Sequence, residues 1–134
     1  MGMDKLEPGL IGKAEMTVTE SMTALKIGSG SVSVFATPML VALMETAAIN
    51  SLEGYLLREM TTVGTKVDIS HIAATPVGML VRARAELVNL DRKRLIFKVS
   101  AEDEAGLIGD GYHERFIVNT EEFISRAKEK NRSR

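Results

Sequence analysis

Glu45, His71 and Thr37 are the residues of this sequence whose types and positions point beyond packing. Glu45 interrupts an apolar run, and its neighbours at three and four residues are Val41, Ala42, Ala48 and Ile49. A carboxylate on such a face is costly unless it is paired or protonated. Desolvation would also move its pKa upward, toward the range useful to a general base. The plain alternative is a less buried helix in which Glu45 shares a polar stripe with Glu53.

His71 falls in the same alternating set as Val67 and Ile69, which places an imidazole in a packed layer. An apolar-face histidine is also an ordinary core residue when its ring nitrogens bond to backbone. Thr37 precedes Pro38 and the apolar run, the place of an N-cap followed by a proline whose missing N–H costs nothing. The same helix end carries partial positive charge and free amides, suited to a developing oxyanion or a polarised carbonyl. Glu45 follows Thr37 by eight residues, about 12 Å of helical rise. Direct contact of the two within one chain is therefore not expected, and a shared site needs a second chain or a substrate to bridge the gap.

The elements that must hold these residues follow from changes of period. Lys13 to Thr19 reads as an opening strand, and Gly28 to Ser33 as a loop. Pro38 to about Leu57 is apolar at so many positions that it predicts a helix buried on most sides. From Val63 the period falls to two: Val63, Thr65, Val67, Ile69, His71 and Ala73 share one face, and Gly64, Lys66, Asp68 and Ser70 the other.

After a turn at Thr75 to Gly78, Met79, Val81, Ala83, Ala85 and Leu87 alternate with polar residues. Leu95, Phe97, Val99 and Ala101 do the same after the turn at Leu90 to Lys93. Leu107 to Asn119 supplies a further strand without clean alternation, so His113 is expected nearer the surface, and Glu121 to Lys130 reads as a short terminal helix with a basic tail. One strand, one long helix and four strands joined by short turns predict a single α+β domain over residues 1–134, its mainly antiparallel sheet covered by one helix. A curved sheet wrapped around the helix fits this order, as do other α+β folds of similar size.

Composition narrows the chemistry. Seventeen basic and eighteen acidic side chains give a net charge of -1, so no global field gathers nucleic acid or anionic lipid. The absence of cysteine excludes thiolate metal sites and cysteine nucleophiles, and two histidines are too few for a histidine-rich metal centre. No stretch approaches the ~20 apolar residues of a membrane span, and a cytoplasmic location is expected. Arg126, Lys128, Lys130, Arg132 and Arg134 are read as solvated charge at a helix end.

The run Phe35-Ala36-Thr37-Pro38-Met39-Leu40-Val41-Ala42-Leu43-Met44-Glu45, followed by Gly64-Thr65-Lys66-Val67-Asp68-Ile69-Ser70-His71-Ile72-Ala73-Ala74-Thr75-Pro76, resembles the hotdog-fold thioesterases of the fluoroacetyl-CoA thioesterase type. Gly111-Tyr112-His113-Glu114-Arg115-Phe116 is similar to that family's Gly-x-His-x-Arg segment, and the resemblance covers nearly the whole chain. It implies a hotdog fold and hydrolysis of a small or medium acyl-CoA to free acid and CoA. It also implies Thr37, Glu45 and His71 as catalytic residues and Gly64 and Arg115 as substrate-binding residues.

By the same resemblance Glu45 activates water or attacks the carbonyl, His71 orients or protonates a reacting group, and Thr37 positions substrate or water. No metal is implied, and no cofactor beyond the coenzyme A of the substrate. The implied assembly is a homodimer or higher homo-oligomer whose two sheets join, with acyl-CoA sites at the interface. The family's choice of a fluorinated acyl group rests on aromatic lid residues outside these motifs, and with 4% aromatic residues that choice is not carried over. Hotdog hydratases place an Asp five residues before the His, whereas Asp68 precedes His71 by three. The reading from another class is a non-catalytic acyl-CoA binding or sensing protein on the same scaffold.

Overall fold

A computed structural model describes residues 5–132. Residues 1–4 and 133–134 lie outside the described residues, and with them Arg134 of the basic tail. The chain forms β1 (Ile11–Thr17), a 3-10 turn (Glu20–Met22), a single helical turn α1 (Ala24–Ile27), α2 (Thr37–Ser51), β2 (Met60–His71), β3 (Leu80–Asp91), β4 (Arg94–Asp103), β5 (Gly106–Asn119) and α3 (Thr120–Arg132). The five strands make one antiparallel sheet in the order β1-β3-β4-β5-β2.

The alternation read from the sequence sets the inner face of the middle strands. Val81, Ala83, Ala85 and Leu87 of β3 and Leu95, Phe97, Val99 and Ala101 of β4 are all buried, against Leu40, Leu43, Met44, Ala47 and Ala48 of α2. The helix comes down hardest on β1. A Cβ at Gly12 would collide with the Ala47 carbonyl and the Ser51 amide, so the helix reaches the sheet only because that side chain is missing. Asn50 fastens the contact by donating from Nδ2 to the Lys13 carbonyl at 2.8 Å.

Several expectations change. The helix ends at Ser51 and not near Leu57, because Leu52 leaves helical geometry and Gly54 takes a left-handed φ of 85°. Tyr55 and Leu56 still pack on the core from the turn that follows, which is why their apolar character read as helix. Thr37 is not the N-cap. Ala36 holds that position with extended dihedrals and no side-chain cap bond, leaving the Thr37 hydroxyl free for another partner.

The connection from β2 to β3 is not a hairpin turn. Residues 72–79 carry the chain across the end of the sheet, so β2 pairs with β5 at one edge while β3 lies beside β1 near the other. The alternation of β2 also breaks. Gly64 pairs with Arg115 and Val67 with His113, with a bulge between Gly64 and Lys66. Arg115 and His113 are both buried, two residues apart on one face of β5, so their partners Gly64 and Val67 face inward together. A regular strand would have put Gly64 and His71 on opposite faces. The bulge puts them on the same one.

Candidate active site

The exposed side of α2 runs along β2, and the spacing read from the sequence sets its contacts. Thr37, Val41 and Glu45 recur every four residues and share a helix face. At one end the Thr37 Oγ1 lies 2.7 Å from His71 Nδ1. At the other the Glu45 Oε2 lies 3.9 Å from Arg115 Nη1. Thr37 and Glu45 do not meet, as eight residues of helix require.

Around Thr37 and His71 the surface opens into a cavity of about 340 Å³, lined by Val32, Val34, Phe35 and Ile72 among others. Burial holds the His71 pKa below its usual 6.5, so the ring is uncharged at neutral pH. Its Nε2 is buried and lacks a hydrogen-bond partner among the described residues, a position that a native fold rarely leaves unmet. The sequence expectation of a packed-layer histidine is therefore half right. The ring is sheltered, yet one nitrogen bonds a side chain and the other meets no hydrogen-bond partner of good geometry among the described residues.

The second end is a connected polar cluster. Arg115, buried on β5, donates from Nε to Thr62 Oγ1 at 2.8 Å and from Nη2 to the Thr62 carbonyl at 3.0 Å. Its Nη1 lies 3.1 Å from His113 Nε2, and His113 Nδ1 lies 2.9 Å from the Lys66 carbonyl. Burial pushes the Arg115 pKa down and the charge of Glu45 opposes this, while a guanidinium stays cationic in either case. A Cβ on Gly64 would lie 3.0 Å from Glu45 Oε2, 3.3 Å from Arg115 Nη1 and 3.4 Å from His113 Cε1. Glycine thus lets the carboxylate and the guanidinium, 3.9 Å apart, close on the β2 backbone where a Cβ would force them to give way.

Two readings need correction here. Glu45 is not desolvated in the single chain: its side chain keeps 37% exposure, because α2 covers the sheet with one side and leaves the other open. His113 is not near the surface, being only 2% exposed and stacked 6.2 Å from the Phe97 ring. The signal for His113 was present as the inward set His113, Arg115 and Ile117 against the outward set Tyr112, Glu114 and Phe116. It was missed because two of the inward residues are polar. Thr62, which holds two of the Arg115 bonds, carried no signal at all.

A larger depression, about 660 Å³, lies elsewhere, among Lys13, Glu15, Arg82, Arg84 and Glu102 on the outer face of the sheet. Its charges pair across the surface, Arg82 with Glu15 and Arg84 with Glu86. The smaller cavity is the better candidate because it holds His71, its pKa lowered by burial and its ring bonded to Thr37, beside apolar walls.

The pattern of the family described as fluoroacetyl-CoA-specific thioesterase matches residues 18–121, which contain every residue of both ends. The chain belongs to that family. The fluoroacetyl-CoA thioesterase of Streptantibioticus cattleyicolor is 39% identical over 97 residues, 72% of this chain and 70% of that protein. A solved structure of the fluoroacetyl-CoA thioesterase FlK superposes with a TM-score of 0.88 at 32% identity, covering 95% of this chain and 98% of that one. A Thermus thermophilus protein described as a thioesterase superfamily member does so with a TM-score of 0.88 at 30% identity, covering 98% of this chain and 100% of that one. The curled antiparallel sheet with its helix is therefore the hotdog fold, and family membership makes the chain an acyl-CoA thioester hydrolase.

Proposed function

We propose that the hydrolysis is carried out by Glu45, Thr37 and His71, with Gly64 and Arg115 forming the slot in which the reacting oxygen sits. The single observation that carries this reading is the 3.9 Å between Glu45 Oε2 and Arg115 Nη1, a separation that one oxygen hydrogen-bonded to both can bridge. A water there gives a proton to Glu45 as its oxygen attacks the thioester carbonyl. The carbonyl electron pair moves to oxygen, and when it returns the C–S bond breaks. The proton held by Glu45 passes to the departing sulfur, leaving free acid and CoA thiol. Thr37 donates its hydroxyl hydrogen to His71 Nδ1, which leaves the ring proton on Nε2 and orients the imidazole toward the reacting group.

The acyl group is a small one, since the cavity beside His71 holds only about 340 Å³. Relatives of the chain are fluoroacetyl-CoA thioesterases, but Val32, Val34, Phe35 and Ile72 supply just one aromatic ring around the cavity. Unfluorinated short acyl groups are therefore included among the substrates. No cofactor beyond the coenzyme A of the substrate takes part.

The two ends are brought together by a second copy of the chain. β2 is an edge strand of twelve residues with one row of backbone groups unpaired in the single chain. Beside it α2 exposes Pro38, Ala42 and Ile49, although the segment is apolar on nearly all sides. Antiparallel pairing of two β2 strands about a two-fold axis near Asp68 keeps inward residues opposite inward ones and brings His71 beside the bulge at Gly64 and Thr65 of the partner subunit. The Thr37 and His71 of one subunit then face the Glu45 and Arg115 of the other. Nothing in the charge or the described helices suits nucleic acid or a membrane span, which fits work on a soluble substrate in the cytoplasm.

The test is thiol release from a panel of acyl-CoAs of increasing length, with light scattering on the same sample. Release from short acyl-CoAs by a particle of at least twice 14.6 kDa is expected. Binding without release by every member of the panel would overturn hydrolysis in favour of a sensing role. A stable monomer with full activity would overturn the shared site.

A further inference from the structure

His113 has no part in the steps above, yet it is among the most buried polar side chains of the chain and touches the cluster that holds Glu45. Its two hydrogen bonds determine which nitrogen carries the proton. The Lys66 carbonyl can only accept, so Nδ1, 2.9 Å away, is the protonated nitrogen. The guanidinium of Arg115 can only donate, so Nε2, 3.1 Å from Nη1, is the acceptor. The two contacts agree on one neutral tautomer. They also exclude the imidazolium, which would place an N–H against an N–H at the Arg115 contact.

We propose that His113 is a positioning residue for Arg115: in its neutral, Nδ1-protonated form it accepts from Nη1 and so aims that nitrogen at Glu45 and the Gly64 slot. Arg115 is then held by Thr62 on one side of the guanidinium and by His113 on the other, and Nη1 is the nitrogen shared with Glu45. The Phe97 ring packed against the imidazole keeps it from turning away. This proposal rests on the thioesterase reading for its effect on turnover, but not for the state of the ring.

A dependence on acidity follows. The charged groups acting on the ring are Arg115, which disfavours the imidazolium, and Glu45 from α2 and Glu114 from its own strand, which favour it. Burial outweighs the two carboxylates and keeps the His113 pKa below 6.5. When the ring finally takes a proton, Nε2 becomes a donor and the Arg115 contact is lost. The slot beside Glu45 is then no longer framed.

The chain has only two histidines, so long-range proton–nitrogen NMR resolves both rings, with His71→Ala identifying which is which. The expected spectrum at pH 7.5 shows His113 protonated at Nδ1 and bare at Nε2, persisting below pH 6.5. Three variants read the consequence in thiol release. His113→Asn keeps a donor for the Lys66 carbonyl but does not reach Arg115, and His113→Met keeps bulk alone. Both are expected to lose about tenfold or more in kcat with a smaller change in KM. His113→Gln presents an oxygen near the Nε2 position and is expected to restore most of the loss.

Wild-type kcat in His113→Met, or no difference between Asn and Gln, would overturn the positioning role and leave the hydrolase reading standing. Absence of thiol release from the wild type with the expected ring spectrum would do the reverse. Should neither Asn nor Met fold, the spectrum decides alone: a ring protonated at Nε2 at pH 7.5 overturns the proposal, and a bare Nε2 that gains its proton as the Arg115 side-chain signals shift supports it.

Discussion

The two ends of the candidate site differ in how complete they are. At Glu45 the chain closes its own network: Arg115 is hydrogen-bonded to Thr62 and His113 and ion-paired with Glu45, and among the described residues no buried side-chain nitrogen or oxygen of this cluster lacks a partner. At His71 the chain stops short, leaving Nε2 buried without a hydrogen-bond partner among the described residues, on a ring that borders an open cavity. A network that is satisfied internally is stiff and holds charge in place before substrate arrives. One that lacks a partner is a place where substrate, or a second subunit, supplies the missing bond. The closed end therefore prepares the reacting groups and the open end receives the thioester.

Breaking the closed end at its carboxylate gives the largest effect. Glu45→Gln removes the base but keeps shape, and turnover should fall about 100-fold or more in the thiol-release assay. Because Glu45 is half exposed and Arg115 retains its bonds to Thr62 and His113, the melting temperature should move by only a few degrees. An unaltered rate would make Glu45 a mere counter-ion for Arg115.

The open end should be less demanding. His71→Ala and Thr37→Val are each expected to lower kcat by about 10- to 100-fold, with folding hardly affected because both side chains border solvent. If calorimetry instead shows these variants strongly destabilised while Arg115→Gln is not, the contrast between a stiff end and an open end is wrong.

A finer probe fills the slot without touching a charge. The backbone at Gly64 lies outside the left-handed region, so Gly64→Ala meets only the crowding of its new Cβ by Glu45, Arg115 and His113. Turnover should fall about tenfold while the fold is kept, a loss near the middle of what a small displacement of reacting groups costs. Wild-type turnover in this variant would show that no reacting oxygen occupies the slot.

The smallest effect is on stability. His71 and His113 both have pKa values depressed by folding, so the unfolded chain binds more protons as pH falls through 6.5. Stability should be full above that pH and decline below it, levelling off only beneath the folded-state values. Denaturant titrations between pH 8 and pH 5 should show the decline, and it should shrink in both His71→Ala and His113→Gln.

Much of this was legible in the residue pattern. The alternation of β3 and β4 and the eight-residue gap between Thr37 and Glu45 depend on the local periods of strand and helix. The separation of Thr37 from Glu45 needed nothing beyond the rise per residue. The resemblance of the two long motifs supplied the family, which the comparisons then showed.

What only the tertiary structure decided depends on pairing between distant segments. The bulge near Thr65 brings Gly64 onto the face of Val67 and His71, and no local pattern announces it because it is set by the register of β2 on β5. The burial of His113 is set the same way, by a strand whose inward residues are polar and satisfied by partners 47 and 2 residues away in sequence. The partial exposure of Glu45 follows from which side of α2 the sheet covers, and the apolar character of nearly every helix position hid that side. Local periodicity states which residues can face a core. Strand register, a long-range property, decides which of them meet there.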